Sequence, residues 1–390
     1  MGPMSLRSSL NASVPVAEPG EFAPVVLSPE VSLWPPVVLA PMAGVTNPPY
    51  RSICRQQGAG LYVAEMVHAR GLAEQDSKTL GLASFGPDEA VRSIQIFGAD
   101  PVAMETAARF LVEEVGAHHI DINLGCPVRK VTSKGAGSAL PARPGLMREV
   151  IAATVRGAAG QPVTVKTRLG LDEEHMTWQD TVDVAAGEGA RWISVHARTA
   201  AQLYSGQARW DILGEIKQRA TIPVLGNGDI WEPFDALRMM RQTGCDGVVI
   251  GRGCLGRPWL FRELAEVFDG REPADPPRLG EVLRILQEHA ELLVDFFGEQ
   301  KGVLELRKWC SWYTKGFPGA SVVRGGLQNI ESLDQMRGYL AQLDPALPFP
   351  QRALRVTRAK RGGSQDKVAL PDGWLDLGAQ EAVEQRGGRA

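Results

Sequence analysis

The chain's 390 residues are enough to bury a full-sized core, and 44% hydrophobic with 22% charged residues is the composition of a globular protein. No apolar run reaches the roughly eighteen residues of a membrane span, and residues 1–24 carry one arginine and no continuous apolar stretch, so neither a bilayer segment nor a secretory leader is expected. A formal net charge of -3 excludes a global basic field, and five cysteines without a C-x-x-C pair argue against disulfides, a zinc site or an iron–sulfur cluster and favour a reducing cytoplasm.

Residues 1–30 are rich in Pro, Gly, Ser and Ala and read as a disordered tail. Short β-branched runs then recur at 37–40, 61–65, 92–97, 119–123, 163–168, 192–196, 223–227 and 247–251. Amphipathic helical patterns separate them, among others at 101–115, 148–158, 178–187 and 233–243. Strands alternating with helices imply parallel pairing with right-handed crossovers, and eight such units predict an α/β fold of the (β/α)8 TIM-barrel type over residues 31–270. After a Pro-rich stretch at 272–277 the strand signals stop, and Leu283, Leu286, Leu292, Leu293 and Phe296 fall at helical spacing. Residues 276–345 are therefore expected to form a smaller all-helical domain, followed by a second disordered tail at 350–390.

In a TIM barrel the chemistry gathers at the C-terminal ends of the strands. The first strand ends in Pro41-Met42-Ala43, the third near Gln95, and the fourth at Asn123, with Leu124-Gly125-Cys126-Pro127 following. The fifth carries Lys166 and Arg168, the sixth ends at His196 and Arg198, and the last two end in Asn227-Gly228-Asp229 and Gly251-Arg252-Gly253. Glycine turns after strands seven and eight occupy the usual phosphate position of this architecture. Lys166 is a cation placed to stabilise an anionic reduced ring, and Gln95 and Asn123 can satisfy ring carbonyl and imide edges. A cysteine between glycine and proline is poorly placed for packing and well placed to face a bound ring. These parts describe a flavin mononucleotide site beside a proton donor, and no Gly-x-Gly-x-x-Gly follows an early strand to suggest a Rossmann fold. His118 and His119 start their strand and read as structural; Cys54, Cys245, Cys254 and Cys310 read as packing.

The stretches Ala40-Pro41-Met42-Ala43-Gly44-Val45-Thr46, Gln95-Ile96-Phe97-Gly98, Asn123-Leu124-Gly125-Cys126-Pro127, Lys166-Thr167-Arg168-Leu169-Gly170, Gly226-Asn227-Gly228-Asp229-Ile230 and Gly251-Arg252-Gly253 together resemble the bacterial tRNA-dihydrouridine synthases, over roughly residues 33–345. The resemblance implies FMN held by Pro41, Met42, Ala43, Gln95, Lys166, Asn227, Gly228, Asp229, Gly251 and Arg252, with His196 as a further flavin or substrate contact. It implies Cys126 as the acid that protonates C5 of a uridine in tRNA after hydride reaches C6, and NADPH or NADH as the reductant. Ala197 and Ala200 stand where the family often has glycine and a basic residue, which bears on substrate contacts of that loop.

A target base must leave its stack to reach a barrel mouth. The basic residues expected to hold the RNA are Arg129, Lys130, Lys134 and Arg198 near the mouth, and Arg307, Lys308, Lys315 and Arg324 in the helical domain. Trp309, Trp312, Tyr313 and Phe317 are expected in the helical core, and Arg352, Arg355, Arg358, Lys360 and Arg361 are either a weak RNA contact or a solvated end. No metal, membrane or obligate protein partner is expected. Two alternatives stay open from the residues alone: an FMN barrel acting on a free pyrimidine or dihydroorotate, and a non-catalytic RNA-binding barrel.

Overall fold

The computed structural model describes residues 7–58, 60–359, 363–365 and 367–387. The eight expected runs form eight strands: β1 (Val37–Leu39), β2 (Leu61–His68), β3 (Ser93–Phe97), β4 (His119–Leu124), β5 (Val163–Arg168), β6 (Ile193–His196), β7 (Val224–Asn227) and β8 (Gly247–Ile250). They pair in parallel and close into a barrel, with β8 beside β1. The helices between them carry their own start signals. Asp100 accepts hydrogen bonds from the backbone N–H groups of Val102 and Ala103 at the head of helix Pro101–Glu113. Asn47 caps Pro48–Gln57, which opens on prolines. Glu232 and Asp235 form a capping box on Pro233–Thr243. Helix Trp178–Gly187 spans its expected bounds, whereas the helix expected to begin at 148 begins at Pro144.

The barrel interior is divided into two halves. The register aligns Gln95 with Asp121, Asp121 with Thr164, and Lys166 with Ser194, so these side chains project inward from β3 to β6 as buried polar layers. The other half is apolar: Val38, Ala40, Leu61, Val63, Leu225 and Val249. His119 lies within the polar half, bonded to Ser93 and Thr164, a structural role.

Both terminal segments depart from the expectation of loose tails. A two-stranded hairpin, Val25–Val26 against Ser32–Leu33, buries Val25, Leu27, Val31 and Leu33 in the apolar half of the barrel, just before β1 enters it. Upstream, Asn11 Nδ2 donates to Asp235 at 3.0 Å in a buried contact, and the N–H of Ala17 donates to the Val267 carbonyl. At the other end Arg355 pairs with Glu232 and Asp235, the carboxylates of the capping box. A helix at Trp374–Gly387 follows; the Trp374 indole donates to the Ala139 carbonyl at 2.8 Å, and Glu381 pairs with Arg143. The composition of these segments is that of linkers, but a few apolar and charged side chains find partners that only the folded barrel provides.

The helical region consists of Leu279–Phe297, Glu299–Tyr313, Ala320–Leu327 and Leu333–Leu340. Its core is continuous with that of the barrel. The Tyr50 ring lies 4.4 Å from the Trp309 ring, and its hydroxyl donates to the Cys254 carbonyl at 2.7 Å. Trp309, Tyr313 and Phe317 are buried, whereas Trp312 is half-buried and reaches the barrel mouth. No helix among the described residues is long and apolar enough to cross a membrane.

Candidate active site

The strand ends open into a cavity of about 440 Å³, within the range of small-molecule sites. Every residue expected at the cofactor lies on its wall: Pro41, Met42, Ala43, Gln95, Lys166, His196, Asn227, Gly228, Asp229, Gly251 and Arg252. Asn123, Cys126 and Arg198 line it as well.

The turn carrying Cys126 is held from both sides. Asn123 Oδ1 accepts from the N–H groups of Gly125 at 3.0 Å and Cys126 at 2.8 Å, and the N–H of Ser138 donates to the Cys126 carbonyl at 3.0 Å. Gly137, at φ +61, leaves room for that second contact, since a Cβ there would lie 2.6 Å from the Cys126 carbonyl oxygen. Burial raises the thiol above its ordinary value of 9.0; the Val128 backbone, Arg168 and Lys130 pull the other way and lose. The group is therefore a neutral thiol at pH 7. The other four cysteines are buried.

Four cations, Lys166, Arg168, Arg198 and Arg252, line the same cavity. Lys166 donates to Asn227 Oδ1 at 3.2 Å, and Asn227 Nδ2 donates on to the Val249 carbonyl at 2.7 Å. Burial lowers Lys166 to about 8, Arg168 pushes the same way, and Asp121 opposes both. Arg168 is held by the carbonyls of Gly125, Thr199 and Leu203, each at 2.9 Å, and burial takes it to about 10. The Arg252 guanidinium stacks over the Tyr204 ring at 4.0 Å and lies 5.6 Å from the Trp231 ring. Among the described residues no carboxylate forms an ion pair with Lys166, Arg168 or Arg252. His196 is neutral, its pKa held well below 6.5 by burial first and then by Arg168, Lys166, Arg198 and Arg252.

The expectation for Arg198 is corrected here. Arg198 is not available to an RNA backbone: it is 2% exposed, donates to both Asp229 oxygens at 2.8 Å and to the carbonyls of Ser205 and Gly206, and locks the loop after β6. The carboxylate of Asp229 is engaged by Arg198 and by the Ala208 N–H. Gly228 in the same turn sits at φ +127, where a Cβ would come within 2.8 Å of Ala208.

The basic residues expected at RNA fall into two sets. Arg129, Lys130 and Lys134 are exposed on the loop leaving Cys126 and form no ion pair among the described residues. In the helical region, by contrast, Arg307 donates twice to the Ile330 carbonyl, at 3.0 and 2.8 Å, and Lys308 pairs with Glu305 and donates to the Gly44 carbonyl at 2.7 Å. These two cations fasten helix Glu299–Tyr313 to its surroundings, and the expectation of a free patch there is corrected accordingly. Lys315 is half-exposed, and Arg324 is half-buried with its Nε unpartnered. Arg352 is exposed, with its guanidinium on the Gly316 carbonyl, whereas Arg358 is buried against the carbonyls of Trp312 and Ala353 and is not a solvated end; Lys360 and Arg361 lie outside the described residues.

Arg168 was within reach of sequence reasoning as a site residue, since it follows Lys166 by two on the same strand and must share its inward face. Tyr204, Trp231 and Trp312 arrive from loops and from the helical region, and nothing in their local sequence marks them as cavity residues.

Comparison with known proteins gives the family of the chain. The model of the dihydrouridine synthase (Dus) family matches residues 38–348. A probable tRNA-dihydrouridine synthase of Mycobacterium tuberculosis is 50% identical over 356 residues, covering 88% of this chain and 91% of that protein. A probable tRNA-dihydrouridine synthase of Mycobacterium leprae is 48% identical over 367 residues, with 87% and 95% covered. The tRNA-dihydrouridine synthase B of Pseudomonas aeruginosa is 42% identical over 299 residues, with 76% and 89% covered.

Proposed function

The chain belongs to the dihydrouridine synthase family, and from that premise we propose that it reduces the C5–C6 double bond of uridines in tRNA to 5,6-dihydrouridine, with FMN as its resident cofactor and NADPH or NADH as reductant. The observation that carries the reading is a neutral thiol, Cys126, sharing one cavity with Lys166 and Arg252, cations that form no ion pair among the described residues.

The donor set fits FMN. Unpaired cations in a half-buried cavity call for an anion, and Arg252 with the adjoining glycine turns offers the charge and N–H groups that a phosphate takes. Lys166 would face the ring, with Gln95 and Asn123 at its polar edges and the segment Pro41 to Ala43 forming an apolar wall. The chemistry a bound FMN supplies is hydride for C6, replenished from NADPH or NADH.

Cys126 supplies the proton. Hydride addition at C6 leaves carbanion character at C5, and a group that is almost entirely thiol at pH 7 gives up its proton there without prior activation. The Cys126 thiolate so formed is reprotonated from solvent through the open mouth. His196, being neutral, contacts the cavity as a hydrogen-bonding group and not as a cation. Arg129, Lys130 and Lys134 on the rim hold phosphates of the RNA whose base is flipped into the cavity.

The test is to map dihydrouridine in tRNA from cells with and without the protein, read as a gain of two hydrogens per uridine, and to repeat the assay with purified protein and free uracil. Loss of specific tRNA dihydrouridines that the wild-type chain restores and Cys126→Ala does not is the expected result. Unchanged tRNA, or reduction of free uracil alone, overturns the proposal.

A further inference from the structure

One layer below the cavity, Asp121 of β4 is 4% exposed and does not reach the cavity wall. Its Oδ2 accepts from Gln95 Nε2 at 2.6 Å and its Oδ1 from Thr164 Oγ1 at 2.6 Å. Gln95 Oε1 accepts from Asn123 Nδ2 at 2.7 Å, and Asn123 Oδ1 accepts from the N–H groups of Gly125 and Cys126.

The two ends of this chain have fixed polarity. Backbone N–H groups can only donate and an ionised carboxylate can only accept. The two amides between them therefore have a single arrangement that satisfies every pair, with both NH2 groups turned toward the carboxylate. Below Asp121 the same logic continues. Thr164 gives its hydroxyl proton to Asp121, so His119 Nε2 must donate to Thr164 Oγ1 at 2.8 Å and its Nδ1 must accept from Ser93 at 2.7 Å. His119 is neutral, since burial lowers it to about 3.

We infer that Asp121 is a positioning residue of this site: through Gln95 and Asn123 it fixes which amide edges face the cavity and holds the turn that carries Cys126. Burial pushes its carboxyl up to about 6 against the pull of Thr164, Gln95 and, more weakly, Lys166 on β5, so at neutral pH the accepting form prevails. Reversing the polarity at Asp121 reverses Gln95, which then opposes Asn123, and the N–H groups of Gly125 and Cys126 lose their acceptor. The inference deepens the role proposed for Cys126, but it concerns the turn's geometry and can be read without turnover.

The experiment is hydrogen–deuterium exchange by mass spectrometry on the full-length protein as purified, comparing wild type with Asp121→Leu and Asp121→Asn. Leucine removes the acceptor. Asparagine keeps a carbonyl for Gln95 and turns its NH2 to Thr164, which can accept. Expected is exchange at Gly125 and Cys126 at least about tenfold faster in Asp121→Leu, roughly the worth of one hydrogen bond, and within about threefold of wild type in Asp121→Asn, with strand β4 unchanged in both. Unaltered protection in Asp121→Leu overturns the inference. Equal acceleration in both variants also overturns it, because the charge and not the acceptor would then be what matters. If Asp121→Leu does not fold, Gln95→Met cuts the same chain at its middle: faster exchange at Gly125 and Cys126 supports the relay, and wild-type protection refutes it. Should the exchange behave as expected while Cys126→Ala still reduces tRNA, the acid assignment fails and the relay stands.

Discussion

The proposed role of Cys126 turns on its protonation state, and the structure sets a number to test. Burial is the largest influence on this thiol and raises it; the Val128 N–H, Arg168 and Lys130 lower it by less. With a pKa at or above 9.0, no more than about 1% of the group is thiolate at pH 7, since each pH unit below the pKa is a factor of ten. Only the thiolate is alkylated. The rate of Cys126 carboxamidomethylation by iodoacetamide should therefore climb about tenfold per pH unit from about 6 to 8, with no plateau in that range. The four other cysteines are at most 4% exposed and stay silent, so intact mass reports Cys126 alone. The expected profile is that of an acid, which needs its proton. A plateau with a midpoint below about pH 8 would mean that Arg168 and Lys130 win over burial, and the residue would then be poised as a nucleophile.

Three further outcomes follow from the same geometry. The folded carboxyl of Asp121 is raised to about 6 from its ordinary 3.8; the stability this contributes is complete below 3.8 and is lost as pH rises through 6. Asp121→Asn, which removes the titration, should thus gain roughly 2 kcal/mol relative to wild type between pH 4.5 and 7.5 in urea denaturation; a pH-independent difference would refute the shift. Asp229→Asn strands Arg198, whose side chain is 2% exposed, and should cost about 3 kcal/mol; a loss under about 1 kcal/mol in the same assay would show that the carbonyls of Ser205 and Gly206 suffice. Charge reversal to glutamate at Arg129, Lys130 and Lys134 should weaken tRNA binding and flatten the slope of log affinity against log salt by about two to three. The corresponding change at Arg307 should lower stability and leave that slope alone, and the opposite pattern would return the RNA contact to the helical region.

The strand ends were legible because barrel chemistry follows strand polarity. Once eight β-branched runs are read as parallel strands, Gln95, Asn123, Lys166, His196 and Asn227 must share one rim. Period-two alternation also predicts the inward face, which is why Arg168 belongs with Lys166. What alternation does not carry is the fate of a charge. Arg129 and Arg198 are equally basic in the sequence, yet one is exposed on the rim and the other is sealed by Asp229 and two carbonyls. The terminal segments depart from their compositional expectation for a related reason: composition predicts no core of their own, and among the described residues their apolar side chains pack on the barrel. Val25, Leu27, Val31 and Leu33 instead complete the floor of the barrel, and Trp374 reaches Ala139 beside the Cys126 loop.

The sequence by itself determined the strand count, the parallel closure and which strand-end residues share the mouth, because these rest on local periodicity and chain direction. Only the tertiary structure decided which cations are free, which side chain is neutral and which amide faces which way. Those properties are set by partners far along the chain, such as Arg198 with Asp229 and Asp121 with Gln95 and Thr164. Protonation and hydrogen-bond polarity depend on burial and on the last unsatisfied group in a network, and a linear pattern of residues contains neither.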